Sequence, residues 1–180
     1  MFDKEAWSVI ERGHALFFAK VPRLKEAAEL FREATRLAPR WAEPFGWLSA
    51  ALERLGDLPG ALTARKQALK LDSADPRHWV SLGAILIELR HWREAVRALE
   101  KGVSLHPHYA EADARLFLAD AYWGAGQRKK AEEQWRIVSK MEPGYPSGDK
   151  PMKEARAKLG MQSNDGKPRT RPKPESKPRY

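Results

Sequence analysis

A column of small residues recurs along this chain at nearly constant spacing, and that period restricts the chain to a stacked-repeat architecture. Aligned on Lys25-Glu26-Ala27, Pro59-Gly60-Ala61, Arg93-Glu94-Ala95 and Lys129-Lys130-Ala131, the four alanines stand 34, 34 and 36 residues apart. Seven residues beyond each come Ala34, Ala68, Gly102 and Val138. Twelve residues beyond come Pro39, Ser73, Pro107 and Pro143. A period kept at three columns is not a by-product of composition. Units of this length cannot bury an apolar face alone and do so by stacking on their neighbours.

Within each period the apolar spacing is helical. Trp79, Leu82, Gly83 and Leu86 mark one amphipathic helix, Arg90-His91 a turn, and Ala95, Leu99 and Gly102 a second helix. Small residues at Gly83, Ala95 and Gly102 allow two antiparallel helices to approach closely. Prolines 22, 44, 59 and 76 are placed for first helical turns, where a missing N–H is harmless. Asp75-Pro76 reads as an N-cap followed by proline at the first helical position. Gly56-Asp57 and Gly124-Ala125-Gly126 mark turns between paired helices.

These columns resemble the tetratricopeptide repeat. Trp79, Leu82, Gly83, Leu86, Ala95, Leu99, Gly102 and Pro107 follow its Trp, Leu, Gly, Tyr, Ala, Phe, Ala, Pro pattern. The second repeat offers Phe45, Leu48, Ser49, Leu52, Ala61 and Ala68, with Arg65 and Ser73 in place of the expected Phe and Pro. The fourth offers Leu118, Ala119, Tyr122, Ala131, Trp135, Val138 and Pro143. The first matches in its second helix (Ala27, Phe31, Ala34, Pro39) and is read as Glu11, His14, Ala15 and Phe18 in its first. The resemblance implies an all-α fold, a right-handed superhelix of four antiparallel helix-turn-helix repeats plus a C-terminal capping helix. The repeats are expected at residues 8–41, 42–75, 76–109 and 112–145, and the cap at 151–160, together forming a domain over 1–160. Two extra residues near 108–111 lengthen the start of the fourth repeat or the turn before it. Phe2 and Trp7 are expected to seal the open end.

Charge divides the chain unevenly. Of 33 basic and 24 acidic residues, the segment 161–180 holds six basic ones (Lys167, Arg169, Arg171, Lys173, Lys177, Arg179) against Asp165 and Glu175. With no periodicity and prolines between its cations, this segment is expected to stay extended as a disordered basic tail. It would follow phosphates or an acidic protein surface, in a salt-sensitive way. Without aromatic residues before Tyr180, base stacking is not expected.

Catalysis has little to work with. There is no cysteine, so disulfides, thiol nucleophiles and Cys-ligated zinc are excluded. His106 and His108 flank a proline without a carboxylate partner, short of the three or four convergent ligands a metal needs. Phosphate-loop, dinucleotide, nucleophile-elbow and zincin motifs do not occur. Asp113 and Asp120 lie two helical turns apart, about 10 Å of rise, too far for an acid–base pair. The expectation is a non-enzyme without cofactor or metal. The N-terminal residues lack the order of a secretory signal and no apolar run approaches the ~20 residues of a membrane span, so the expected location is cytoplasmic.

The resemblance further implies a concave groove lined by the first helix of each repeat. The groove positions then fall on Arg12, Leu16, Trp47, Arg54, Arg77, Val80, Ile87, Phe117, Asp120 and Trp123. Trp47, Phe117 and Trp123 occupy positions the repeat core does not require, which suits anchors for an apolar ligand. Trp79 and Trp135 sit in core columns, and Trp41 and Trp92 fall at turns, where partial burial is expected. A clamp for the carboxylate tail of heat-shock chaperones is not expected. Arg12 and Arg77 match it in charge, but Leu16 and Trp47 stand where asparagines belong and Ser81 replaces a base. The expected function is a protein-interaction scaffold or adaptor that holds a peptide or helix of a partner protein. The alternative is a nucleic-acid-associated accessory factor using the basic tail and Arg-rich outer surface, and end-to-end self-assembly into a homo-oligomer also fits.

Overall fold

The computed structural model describes residues 4–105, 111–143 and 147–160. Among them are nine α-helices and no strand: α1 (Lys4–Phe17), α2 (Leu24–Leu37), α3 (Ala42–Arg54), α4 (Leu58–Leu71), α5 (Pro76–Glu88), α6 (Trp92–Ser104), α7 (Glu111–Gly124), α8 (Arg128–Ser139) and α9 (Lys150–Lys158). Helices α1/α2, α3/α4, α5/α6 and α7/α8 form four antiparallel hairpins, each packed on the next, and α9 closes the last against α8 and α7. The basic tail, the residues before the fourth hairpin at 106–110, and Phe2 lie outside the described residues.

Each hairpin closes on one small residue. A Cβ added at Gly83 would stand 2.3 Å from Leu99 Cγ, and one at Gly13 would stand 2.6 Å from the ring of Phe31. Ser49 and Ala119 hold the same column fully buried, and Ser49 Oγ donates to Ala61 O at 2.9 Å. The alanine column is equally closed: Ala27, Ala61, Ala95 and Ala131 have no exposed surface. Above this seam lie two adjoining apolar clusters. One, around Ile10, Phe31 and Ile85, fills the first half of the stack; the other, around Leu99, Val138 and Ala155, fills the second. Leu62 touches both.

The turns repeat as faithfully as the helices. Asp57 N donates to Leu52 O, His91 N to Leu86 O and Gln127 N to Tyr122 O, each spanning five residues at 2.8–2.9 Å. Inside each sits one left-handed residue: Gly56 (φ 81°), Arg90 (φ 58°) and Gly126 (φ 78°). These are Schellman-type stops, which glycine occupies without strain and an L side chain does not. Asp57 and Asp75 then cap the next helix, accepting from Gly60 N and Arg77 N.

The first hairpin departs from this pattern. There Arg23 N reaches Leu16 O, a span of seven residues, across the connection 18–23. Leu16 therefore stands where Leu52, Leu86 and Tyr122 stand, and Gly13, not Ala15, faces the second helix. The expected phase of α1 is corrected by two residues, because the additional length sits in the turn instead of the helix.

The same turn chemistry supplies a paired prediction. Arg90→Gly removes a left-handed side-chain penalty and should stabilise the chain by about 1 kcal/mol. Gly126→Ala should destabilise it by a similar amount, both read as shifts of the urea midpoint.

Candidate binding groove

Helices α1, α3, α5 and α7 run parallel and present one face each to the concave side of the stack. On α3 and α5 that face carries Glu43, Trp47, Ala50 and Arg54, then Arg77, Ser81, Ala84 and Glu88, the spacing of one helical stripe. On α7 it carries Asp113, Phe117 and Asp120. The corrected phase puts Glu11 and His14 on α1 in this stripe, with Phe18 just beyond its end. Arg12 instead occupies the column at which Leu48, Leu82 and Leu118 are buried, and is exposed because no described helix lies beyond α1 to cover it. Leu16 packs into the core cluster of the first half.

An aromatic cluster builds the α1 end of the groove. Trp47 stacks on Phe31 with ring centroids 6.0 Å apart and meets His14 at 4.3 Å, Phe17 at 5.9 Å and Phe18 at 5.7 Å edge-on. Its indole N–H donates to Glu43 Oε1 at 2.8 Å. Trp47 is thus half-buried and fixed from several sides, while Phe18 is 65% exposed beside it. Arg54 is held over the Phe17 ring and donates to Phe17 O at 3.2 Å. Behind this end, Trp7 of α1 stacks on Trp41 at 5.8 Å, and both rings are partly buried.

The middle of the groove holds a cavity of about 210 Å³ walled by Glu43, Trp47, Ala50, Arg77 and Ser81. Its floor is a buried arginine. Arg65 stands in the column filled elsewhere by Phe31, Leu99 and Trp135, and is only 5% exposed. It donates through Nη2 to Gly46 O and through Nη1 to His78 Nδ1, each at 3.0 Å. Gly46 leaves the space: a Cβ there would stand 3.3 Å from the imidazole and 3.4 Å from the guanidinium. An arginine has no acceptor, so His78 must carry its proton on Nε2 and stay neutral. Arg65 Nε has no hydrogen-bond partner among the described residues. Burial lowers the Arg65 pKa to about 10, against the opposing pull of Glu53, Asp75 and Glu43, and the side chain stays charged at neutral pH. Arg77, at the cavity mouth, is bridged to Asp75 at 2.6 Å and to Glu43 at 3.4 Å.

At the α9 end, Phe117 is 37% exposed between two engaged carboxylates. Asp113 accepts from Ser147 Oγ at 2.6 Å, and Asp120 pairs with Lys158 at 3.0 Å. Trp123 is 43% exposed, yet its ring lies under Arg128 at 3.7 Å and against Trp135 at 5.3 Å, at the groove's edge and not in its floor. Val80 packs into Gly102 of the partner helix, and Ile87 against the core of the second half. Trp135 is buried, while Trp79 is half-buried with its indole N–H on Ser73 O. So the structure brings Trp47, Arg54, Arg77, Phe117 and Asp120 to the groove face, and sets Arg12, Leu16, Val80, Ile87 and Trp123 apart from it. Sequence reasoning passed over His14, Phe18 and the Arg65–His78 pair. The arginine in an aromatic core column, with a glycine nineteen residues before it, was the available signal.

Among the described residues, no three His, Asp or Glu side chains are arranged to hold a metal, and no helix is long and apolar enough to cross a membrane. The His106–His108 pair and the six tail cations lie outside the described residues.

The buried pair makes stability depend on pH. Burial first, and the Arg65 charge second, hold the His78 pKa below its ordinary 6.5, with Asp75 and Asp72 opposing and Arg77 reinforcing. The unfolded chain therefore takes up the proton first as pH falls. Stability is complete above 6.5 and is lost progressively from there towards the folded-state pKa. His14, lowered by burial against the pull of Glu43 and Glu11, contributes in the same direction. Urea midpoints measured down this range should fall, and His78→Asn, whose Oδ1 takes the place of Nδ1 and still accepts from Arg65, should flatten the fall. An unchanged slope in that variant would assign the dependence elsewhere.

No protein-family profile matches the chain, and no curated protein does. Solved structures do. PilF of Pseudomonas aeruginosa matches at 18% identity with a TM-score of 0.73, covering 88% of this chain and 70% of that one. MamA (41-end) of Desulfovibrio magneticus RS-1 matches at 23% identity with a TM-score of 0.71, covering 87% and 86%. TTC0263, a thermophilic TPR protein of Thermus thermophilus, matches at 20% identity with a TM-score of 0.68, covering 86% and 83%. Taken with the four hairpins and their cap, these likenesses show that the chain has the tetratricopeptide-repeat fold.

Proposed function

We propose that this chain is a protein-interaction scaffold whose concave groove holds a peptide or helix of a partner protein. The observation that carries this reading is the pair of exposed aromatic rings, Phe18 and Phe117, standing at opposite ends of one groove. Neither ring is needed to close a hairpin; Phe117 stands between the engaged carboxylates Asp113 and Asp120, and Phe18 packs on Phe17, whose ring is covered by the fixed Arg54. Exposed apolar side chains framed by charge are the usual composition of an interface centre. A groove lined by four parallel helices suits an extended segment or an amphipathic helix laid across them.

Trp47 serves as a wall in this arrangement. Four rings and a carboxylate hold its indole in place, so it offers a preorganised apolar surface with little side-chain entropy left to lose. Between Trp47 and Arg77, the cavity above Arg65 admits one side chain of the ligand. The chemistry this reading needs is binding alone.

The test is a capture of partners by the full chain from native lysate, followed by affinity measurement on the recovered partner. Phe18→Ala and Phe117→Ala together should weaken binding by about tenfold or more, the scale of an interface anchor. Their unfolding midpoints should stay near that of the parent, since both rings are largely outside the core. Undiminished affinity in the double variant would remove the groove reading.

A further inference from the structure

Arg65 is a cation in the core whose charge the described residues leave without a paired carboxylate. Its two hydrogen-bond acceptors, Gly46 O and His78 Nδ1, are both neutral. Glu53, Asp75 and Glu43 act on it only through space, and none forms an ion pair with it. Nε meets no acceptor, and each Nη keeps a second N–H beyond the one bond it makes. A guanidinium removed from water is costly unless acceptors and an opposite charge meet it. An arginine serving only as a strut between helices would have those donors met within the chain.

The groove helices leave this charge within reach. Gly46 and Ala50 of α3 and Ser81 of α5 bound the cavity above it, three small residues where larger ones would close it. Trp47 supplies a rigid wall, and Arg77 a second guanidinium at the mouth. The nearby carboxylates are engaged elsewhere. Glu43 accepts from the Trp47 indole and faces Arg77, and both oxygens of Asp75 accept from Arg77.

We propose that this cavity is a subsite for one acidic side chain, an aspartate or glutamate, of the segment held in the groove, and that its carboxylate is the counter-ion Arg65 lacks. Charge selects that group. Glu43 and Asp75 balance the two arginines, so the cavity takes one negative charge more readily than the nearly two of a phosphate. A neutral amide would meet N–H groups and leave the buried charge uncompensated. Shape agrees: a planar carboxylate matches the fork of a guanidinium, and the Ser81 hydroxyl in the wall is a further donor. The cavity lies on α3 and α5, between Phe18 beyond α1 and Phe117 on α7. A segment spanning both rings therefore crosses it in mid-chain and presents a side chain there, not its terminus. The cation comes from α4, behind the groove helices, unlike the groove-lining cations of the chaperone-tail clamp.

The proposal rests on the groove being a binding face, but its test needs no partner. Isotope-labelled full-length protein is titrated with N-acetyl-glutamate N-methylamide while the Trp47 indole and the Gly46 and Ser81 amide signals are followed. Saturable shifts are expected there, and none with the glutamine analogue or with sodium chloride at matched ionic strength. N-acetyl-alanine, whose carboxylate ends the chain, should bind more weakly. Arg65→Met, which returns an apolar side chain to the column, should abolish the shifts. So should Ala50→Leu, which fills the cavity from the groove side and keeps the arginine; thermal melts of both variants are run in parallel. Should Arg65→Met fail to fold, Ala50→Leu decides. The proposal is overturned by absent shifts in the parent, by equal shifts with the glutamine analogue or chloride, by tighter binding of N-acetyl-alanine, or by shifts that survive in either folded variant. A cavity without affinity for the carboxylate leaves partner binding at Phe18 and Phe117 standing, so the two readings fail separately.

Discussion

The contact between one small residue and the facing helix sets the dimensions of the molecule. At Gly83 and Gly13 the partner side chains, Leu99 and Phe31, occupy the space of a missing Cβ. Ser49 and Ala119 do the same work with the least possible bulk. Because the paired helices meet this closely in every hairpin, the hairpins are nearly congruent. Congruent units stack with a constant rotation, and a constant rotation places the first helices side by side on a concave face. The groove is thus a consequence of the seam, and its lining is whatever the sequence places on the stripe turned away from it.

Much of this was legible in the sequence, because the seam is made of residue types rather than of geometry. Ala27, Ala61, Ala95 and Ala131 announce the period, and the glycine and proline punctuation locates the turns. What could not be read was the phase of α1. Counting back from Ala27 with the spacing of the other hairpins puts Ala15 on the seam, whereas Gly13 is there. The two additional residues went into the connection 18–23, and a turn without a Schellman glycine leaves no mark to count from. Shifting a helix by two residues rotates its face by more than half a turn, so Arg12 and Leu16 left the groove while His14 and Phe18 took their places.

Other misplaced positions have a similar origin. Val80 and Ile87 lie one residue from the groove stripe, and at 100° per residue a neighbouring position belongs to a packed face. Trp123 carries the composition of an anchor, but Arg128 and Trp135 had already claimed its two sides. A sequence shows that an aromatic residue is available; it does not show which neighbour reaches it first.

Arg65 joins these levels. A guanidinium in a core column is costly unless its donors are met, and here a backbone carbonyl and a neutral imidazole meet two of its nitrogens. Both acceptors belong to the groove helices, α3 and α5, so the arginine of α4 ties the outer layer to the floor of the groove. Replacing an apolar core side chain by a polar link gives up packing that Phe31, Leu99 and Trp135 supply in the other hairpins. In exchange the positions of Gly46 and His78 become interdependent, and with them the walls at Trp47 and Arg77. The least regular column of the repeat therefore lies beneath the cavity at the centre of the groove face, where the shape of a bound side chain would be felt by two repeats at once.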